Sequence, residues 1–159
     1  MIRTMLLLAL AALAAAPDPE RIVLTLSVGA PSTTVTIAPD GTMIVDEAGQ
    51  RRTLKAGPTT YERVAALVKP VRRWAGGKVP CEGDPPFVES YWKLAIVHIR
   101  WEPEGAAVEV PVTCRQGLAR DEIELVRAAL DETRRVAHDA PDIDGMTSNN
   151  AAEAVTDED

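Results

Sequence analysis

The chain has 159 residues, of which 46% are hydrophobic and 26% charged. These values are typical of a globular protein and exclude wholesale disorder, a collagen-like chain and a membrane protein with several spans. The formal net charge is −7, but residues 139–159 hold seven acids and neither lysine nor arginine. Residues 1–138 therefore carry 17 acids and 17 bases, and this neutral body gives no electrostatic reason to expect nucleic-acid binding.

The first residues predict an export signal. Arg3 precedes an unbroken apolar run over 5–16, which is shorter than the roughly 20 residues that a bilayer span requires. A positive start, a short apolar run and small residues at its end are typical of a secretory signal peptide. We expect 1–14 to be this signal, with cleavage near Ala14 to Ala16 and no membrane span in the mature chain. Arginine outnumbers lysine 13 to 4, a bias that suggests a bacterial source and hence a periplasmic or secreted protein.

The two cysteines predict one disulfide. An oxidising compartment favours a bond between Cys81 and Cys114, and two cysteines allow only one pairing within the chain. The alternative is a metal site, for which His98 and His138 would have to supply further ligands. His98 lies within a predicted strand and His138 at the end of a predicted helix, so the sequence favours the disulfide over the metal.

Four short strands are predicted first in the mature chain. Residues 21–28, 33–38, 42–46 and 51–55 are rich in β-branched residues and are separated by turn residues. Pro39-Asp40-Gly41 is the strongest turn signal, because proline presets its φ and glycine accepts a positive φ. Such short connections predict an antiparallel meander.

The pattern then changes to helical spacing. Apolar residues recur at three- and four-residue intervals from Tyr61 onwards, and Pro70 should kink or end the helix that they predict. Gly76-Gly77 closes this element, and residues 78–92 appear irregular. Strands are predicted over 93–101 and 107–113, and the clearest helix over 119–138.

The predicted order of elements is therefore β-β-β-β-α-β-β-α. Two amphipathic helices need an apolar surface, and a sheet with one apolar face provides it. We expect a single α+β domain over 21–138, with an antiparallel sheet, both helices on one face and one disulfide. Residues 139–159 are predicted to be a disordered acidic tail.

The irregular segment is the first candidate binding surface. It contains Phe87, Tyr91 and Trp92, and Pro85-Pro86 and the predicted disulfide should restrict its motion. Large aromatic side chains on a rigid loop are common anchors of protein interfaces. The alternative is that the rings fill the core, in which case Trp92 and Trp101 would be buried first.

The basic residues after the first helix are the second candidate. Arg72 and Arg73, with Arg63 and Lys78, could form a positive strip for an acidic partner. The alternatives are a solvated helix face and an internal contact with the acidic tail.

No catalytic set, metal site or cofactor motif is recognisable in the sequence. A nucleophile needs an adjacent base, and His98 is the only histidine within a predicted strand. The sequence therefore favours an exported, non-enzymatic binding or inhibitor-like domain with an envelope or secreted macromolecule as its partner. The alternatives are a small exported hydrolase that uses His98 with nearby carboxylates, and an envelope assembly protein that acts through its acidic tail.

Overall fold

A computed structural model describes residues 18–28, 31–82 and 95–143 of the chain. Within these parts the strands are β1 Arg21–Ser27, β2 Thr33–Ile37, β3 Thr42–Glu47, β4 Gln50–Lys55, β5 Gly77–Lys78, β6 Ile96–Glu102 and β7 Ala106–Pro111. The helices are α1 Pro58–Val68 and α2 Arg120–Asp139, and a 3-10 segment, Lys69–Trp74, follows α1. The predicted order of elements is present, with β5 as one additional strand.

The strands form one sheet in the order β4-β3-β2-β1-β6-β7-β5. Every neighbouring pair is antiparallel except β5 and β7, which run parallel. The predicted α+β class is confirmed, and the sheet is mixed rather than wholly antiparallel. Sequence reasoning missed β5 because two residues are too few to show an alternation of apolar and polar side chains.

The turn between β2 and β3 forms as its residues predict. The backbone N–H of Gly41 donates to the Ala38 carbonyl, and the Thr42 N–H donates to the Asp40 carboxylate at 2.8 Å. Gly41 has a φ of 84°, and a Cβ there would lie 2.3 Å from the carbonyl carbon of Gly57. The turn therefore needs glycine for two reasons: the positive φ and the contact with the backbone that leads into α1.

Helix α1 ends where Pro70 predicts a change. The regular helix stops at Val68, and the chain continues as the 3-10 segment through Trp74. Proline lacks the N–H that an α-helical interior requires at that position. The turn that carries Arg72 and Arg73 is therefore not a continuation of the α1 surface.

Both helices pack on one face of the sheet. Alternate residues of the central strands are buried, among them Ile22 and Leu24 in β1 and Ile99 in β6. They belong to one apolar cluster with Val64 of α1 and Val126 of α2. The apolar residues that alternate along the strands and those that recur at helical spacing in α1 and α2 thus pack together in a single core.

The opposite face of the sheet is mostly polar. Across it, Thr25 of β1 lies between Thr34 of β2 and His98 of β6, and His98 pairs in turn with Glu109 of β7. His98 and Glu109 are exposed. Neither helix covers these residues, because both pack on the other side.

The predicted disulfide between Cys81 and Cys114 is formed, with Cα atoms 5.9 Å apart. It joins the residues after β5 to the connection between β7 and α2, and so adds a covalent link beside the pairing of β5 with β7. Closing such a long loop stabilises a small domain mainly by restricting the unfolded chain.

The described residues continue past residue 138, as far as residue 143. Asp139 is the last residue of α2, and Pro141 accepts a backbone hydrogen bond from Lys55 at the outer edge of β4. Asp142 forms an antiparallel bridge with Leu54. The rest of the predicted acidic tail, 144–159, and the predicted signal peptide, 1–14, lie outside the described residues. No helix in the part that the structure describes is long and apolar enough to cross a membrane.

Candidate functional site

Arg72, one of the predicted binding residues, lies at the centre of an internal contact. Its two guanidinium nitrogens donate to the Glu20 carboxylate at 3.2 and 2.8 Å, and it also pairs with Glu104. The guanidinium carbon lies 5.1 Å from the centre of the Trp101 ring. The Glu20 carboxylate raises the pKa of Arg72 above its usual range. Arg72 therefore ties the start of β1 to the turn between β6 and β7.

Arg73 and Arg63 connect the first helical region to α2. Arg73 pairs with Glu122 and lies over the ring of Trp74, with 5.0 Å from the guanidinium carbon to the ring centre. Arg63 donates to Glu132 at 3.3 Å. Arg63 and Arg73 are thus ion-paired with carboxylates of α2, an arrangement that sequence reasoning did not consider.

The Glu132 carboxylate accepts hydrogen bonds from two arginines. Arg135, on the same helix, donates to it at 2.9 and 3.1 Å, and Arg63 reaches it from α1. Arg135 first, and then Arg63, hold the pKa of the Glu132 carboxyl below its usual value of 4.5. The helix pair is thus linked by charges as well as by its apolar faces.

The predicted aromatic anchors Phe87, Tyr91 and Trp92 lie outside the described residues. Trp101, expected among the first rings to be buried, is 2% exposed and belongs to the core. The described residues that flank 83–94 are informative. The Ala95 carbonyl accepts the N–H of Val112 at 3.1 Å, and Glu82 lies against Gly117. Both flanks therefore contact the connection between β7 and α2.

His98 lies on the polar face of the sheet. Its Nδ1 is 3.8 Å from Glu109 Oε1, and both side chains are about half exposed. Across β1, the Thr25 hydroxyl is 3.2 Å from that of Thr34. A histidine, an acid and hydroxyls thus occur on neighbouring strands, but on an open face rather than in the groove described next.

An open groove of about 580 Å³ lies beside the disulfide, between the connection that follows β7 and the first turns of α2. We call it the arginine groove, and its lining residues are Val112, Thr113, Arg115, Arg120, Glu124 and Arg127. Three of these residues are arginines and one is a glutamate, so the lining is positively charged at neutral pH. Sequence reasoning did not identify this site.

Arg127 forms the fixed part of the groove. Its Nε donates to the Val112 carbonyl at 2.6 Å and its Nη2 to the Cys114 carbonyl at 2.7 Å. The remaining nitrogen pairs with Glu124. Arg127 thus holds the connection against α2 and neutralises the one carboxylate that lines the groove.

Arg115 and Arg120 differ from Arg127 because both are exposed and neither guanidinium has a hydrogen bond or ion pair within the described part of the chain. Elsewhere in that part, most arginines have a carboxylate partner: Arg21, Arg63, Arg72, Arg73, Arg100, Arg127, Arg134 and Arg135. Arg51 and Arg52 of β4 are the other two without one. Strand β4 is the edge strand at one end of the sheet, and β5 is the edge strand at the other end.

The loop that connects Arg115 to Arg120 is shaped by a glycine and exposes an apolar side chain. Gly117 has a φ of 104°, and a Cβ there would lie 3.0 Å from the backbone nitrogen of Glu82. Leu118 is 88% exposed, which is unusual for a large apolar side chain. The loop between Arg115 and Arg120, both of which line the groove, thus carries an exposed leucine.

One signal in the sequence could have revealed part of this site. Arg120, Glu124 and Arg127 follow one another at four- and three-residue spacing, which places them on one face of α2. Nothing local shows that this face meets the connection that carries Arg115, because Arg127 reaches the carbonyls of Val112 and Cys114 only in the folded chain.

Among the described residues, no group of three or more His, Cys, Asp or Glu side chains could hold a metal ion. The arginine groove instead supplies only N–H donors from its cationic side chains. Comparisons with protein-family models, with curated proteins and with solved structures find no match to this chain.

Proposed function

We propose that this chain is a small exported, non-enzymatic binding domain, inhibitor-like in its use of a rigid surface, that captures a macromolecular partner at its disulfide end. The observation that carries the proposal is the pair of arginines, Arg115 and Arg120, whose side chains have no partner among the described residues and line an open groove. Exposed cations with no internal partner contribute little to folding, so their arrangement around one groove favours a role in binding.

The rigidity of the surface supports this function. The Cys81–Cys114 bond and the contacts of Arg127 fix the connection that carries Arg115. A surface that is already ordered loses little conformational entropy when a partner binds. The predicted aromatic contacts Phe87, Tyr91 and Trp92 belong to the same proposal, because both described flanks of their segment contact this connection.

The chemistry of the groove supports binding rather than catalysis. Arginine remains protonated at physiological pH and offers several donors in a planar fork, but no base and no nucleophile. Such side chains hold an anionic group in place. The disulfide supports export, because structural disulfides are typical of secreted and periplasmic proteins.

The experiment is a comparison of three forms of the oxidised mature protein as bait in an envelope extract. These are the wild type, Arg115→Ser/Arg120→Ser in the groove, and Arg51→Ser/Arg52→Ser on β4 as a control with the same charge change. We expect defined partners to be retained by the wild type and the control and lost by the groove variant. Equal retention by all three forms would contradict the proposal.

The hydrolase alternative has one supporting observation, the 3.8 Å approach of His98 to Glu109. If this pair served as a base and its orienting acid, hydrolysis of ester or peptide substrates by the purified protein should fall by about 100-fold or more in His98→Ala. An active wild type with this loss would replace the binding proposal.

A further inference from the structure

We infer that the arginine groove binds an extended acidic peptide segment that carries an apolar residue among its carboxylates, supplied by a second protein. This inference rests on the proposed function and names the chemistry of its partner. It is drawn from three described features: the guanidinium groups of Arg115 and Arg120, which have no partner among the residues that the structure describes, the fixed Arg127 in the same groove, and the exposed Leu118.

The positive charge of the groove favours a ligand that carries carboxylates. Arg115 and Arg120 come from different elements, the connection and the first turn of α2, and both line the same groove. Glu124 is held by Arg127 and so does not neutralise them. An incoming chain with several carboxylates can place one at each guanidinium, where planar donors match the two oxygens of a carboxylate.

Shape selects an extended segment over a single small anion. The groove is open, and its volume of about 580 Å³ exceeds the space that one carboxylate needs. An extended peptide advances roughly 3.3 Å per residue and can place several side chains along an open groove.

The exposed Leu118 favours a ligand that also carries an apolar side chain. Its side chain is 88% exposed, and it lies between Arg115 and Arg120 in sequence, on the loop that Gly117 and Glu82 fix in place. Burying an exposed leucine against an apolar side chain of the ligand removes both from water. The surface therefore favours acidic residues that flank an apolar one over a uniformly acidic chain.

The test uses the full oxidised mature protein and three fluorescein-labelled peptides in an anisotropy titration at low salt. The first has two glutamates on each side of a leucine. The second has glutamines in place of the glutamates, and the third has serine in place of the leucine. The three protein forms are the wild type, Arg115→Ser/Arg120→Ser and the control Arg51→Ser/Arg52→Ser.

We expect the first peptide to bind the wild type and the control equally, and the groove variant at least about tenfold more weakly. The glutamine peptide should fail to bind, and the serine peptide should bind severalfold more weakly. Affinity should fall as salt is raised from about 20 to 300 mM, because the charges are exposed.

Three results would overturn the inference. They are the absence of binding to the wild type, equal weakening in the groove variant and the control, and equal binding of the glutamate and glutamine peptides. A fourth concerns the chain's own acidic end: binding that appears only after Asp157→Asn/Glu158→Gln/Asp159→Asn would assign the groove to that segment instead of a second protein.

The outcomes also separate this inference from the proposed function. If the peptides fail but the groove variant still loses its partners in the extract, the ligand class is wrong and the binding function stands. If the groove variant keeps its partners and the peptides fail, both are wrong.

Discussion

Arginine has opposite roles in two regions of this domain. Around the 3-10 segment, Arg72 is shared between Glu20 and Glu104 and lies over Trp101. In the arginine groove, Arg115 and Arg120 have no partner within the described residues. The first arrangement connects distant parts of the chain, whereas the second leaves cations available to a ligand. Sequence reasoning offered Arg72 and Arg73 as the second candidate binding surface, after the aromatic segment, and the structure pairs both of them with carboxylates.

The difference between the two regions depends on the acids that folding brings close. The chain has more acids than bases in total, so unpaired arginines do not follow from a shortage of carboxylates. If the paired region serves stability and the unpaired region serves binding, substitutions in the two regions should affect different measurements.

The largest expected effect comes from the disulfide, which supports the unpaired region. Cys81→Ala/Cys114→Ala should lower the free energy of unfolding by about 2–5 kcal/mol, because the unfolded chain gains the freedom of an open loop. It should also weaken peptide binding at the groove, since the connection that carries Arg115 is no longer tied to Cys81. Urea unfolding followed by tryptophan fluorescence measures the first effect, and wild type under reducing conditions is the control. A variant as stable as the oxidised wild type would show that the bond does not support this region.

Arg127 is the next strongest test, because it belongs to the groove but is itself paired. Arg127→Ala should cost about 1–3 kcal/mol, since two backbone carbonyls and Glu124 lose a charged donor. Arg134→Ala is the matched control: its pair with Asp131 is exposed, 3.6 Å long and on the same helix, so its loss should cost less than about 0.5 kcal/mol. The urea midpoints of the two variants, compared with that of the wild type, measure these losses of stability. Equal midpoints would mean that Arg127 does not fix the connection.

The direct comparison of the two regions is Arg72→Ala against Arg115→Ala. Arg72→Ala should cost about 1–2 kcal/mol, with allowance for its partial exposure, because an ion-pair network and a ring contact are lost. Arg115→Ala should change stability by less than about 0.5 kcal/mol. Arg115→Ala should weaken peptide binding, whereas Arg72→Ala should leave it nearly unchanged. If Arg72→Ala weakened the peptide as much as Arg115→Ala, the distinction between the regions would fail.

The smallest expected effect is a pH dependence in the paired region. The pKa of Glu132 is lowered in the folded chain, so its ion pairs stabilise the domain above its unfolded value near 4.5. This contribution is lost as the pH falls through the lower folded pKa. Glu132→Gln should therefore cost up to about 1 kcal/mol at neutral pH, and progressively less in acid. Urea unfolding at several pH values measures the difference, and a cost that does not depend on pH would contradict the assignment to the ion pairs.

Much of the fold could be predicted because its signals are local. The alternation of Val35 and Ile37 with threonines predicts a strand with one buried face, and the structure buries both. Pro39-Asp40-Gly41 predicts the turn that Gly41 closes. Helix α2 was predicted within one residue at each end, because its apolar residues keep helical spacing over its whole length. By contrast, β5 has no local pattern and exists because its backbone lies beside β7.

The sequence by itself determined the class of the fold, the order of its long elements and the pairing of its two cysteines, because the period of apolar residues and the number of cysteines are properties of the chain alone. Only the tertiary structure decided which arginines are paired. Glu20 is 52 positions from Arg72, and Arg115 meets Arg120 and Arg127 across a groove that forms when α2 packs against the connection. A charged side chain acts on whatever lies within a few ångströms in space, so its role depends on neighbours that the order of residues does not specify.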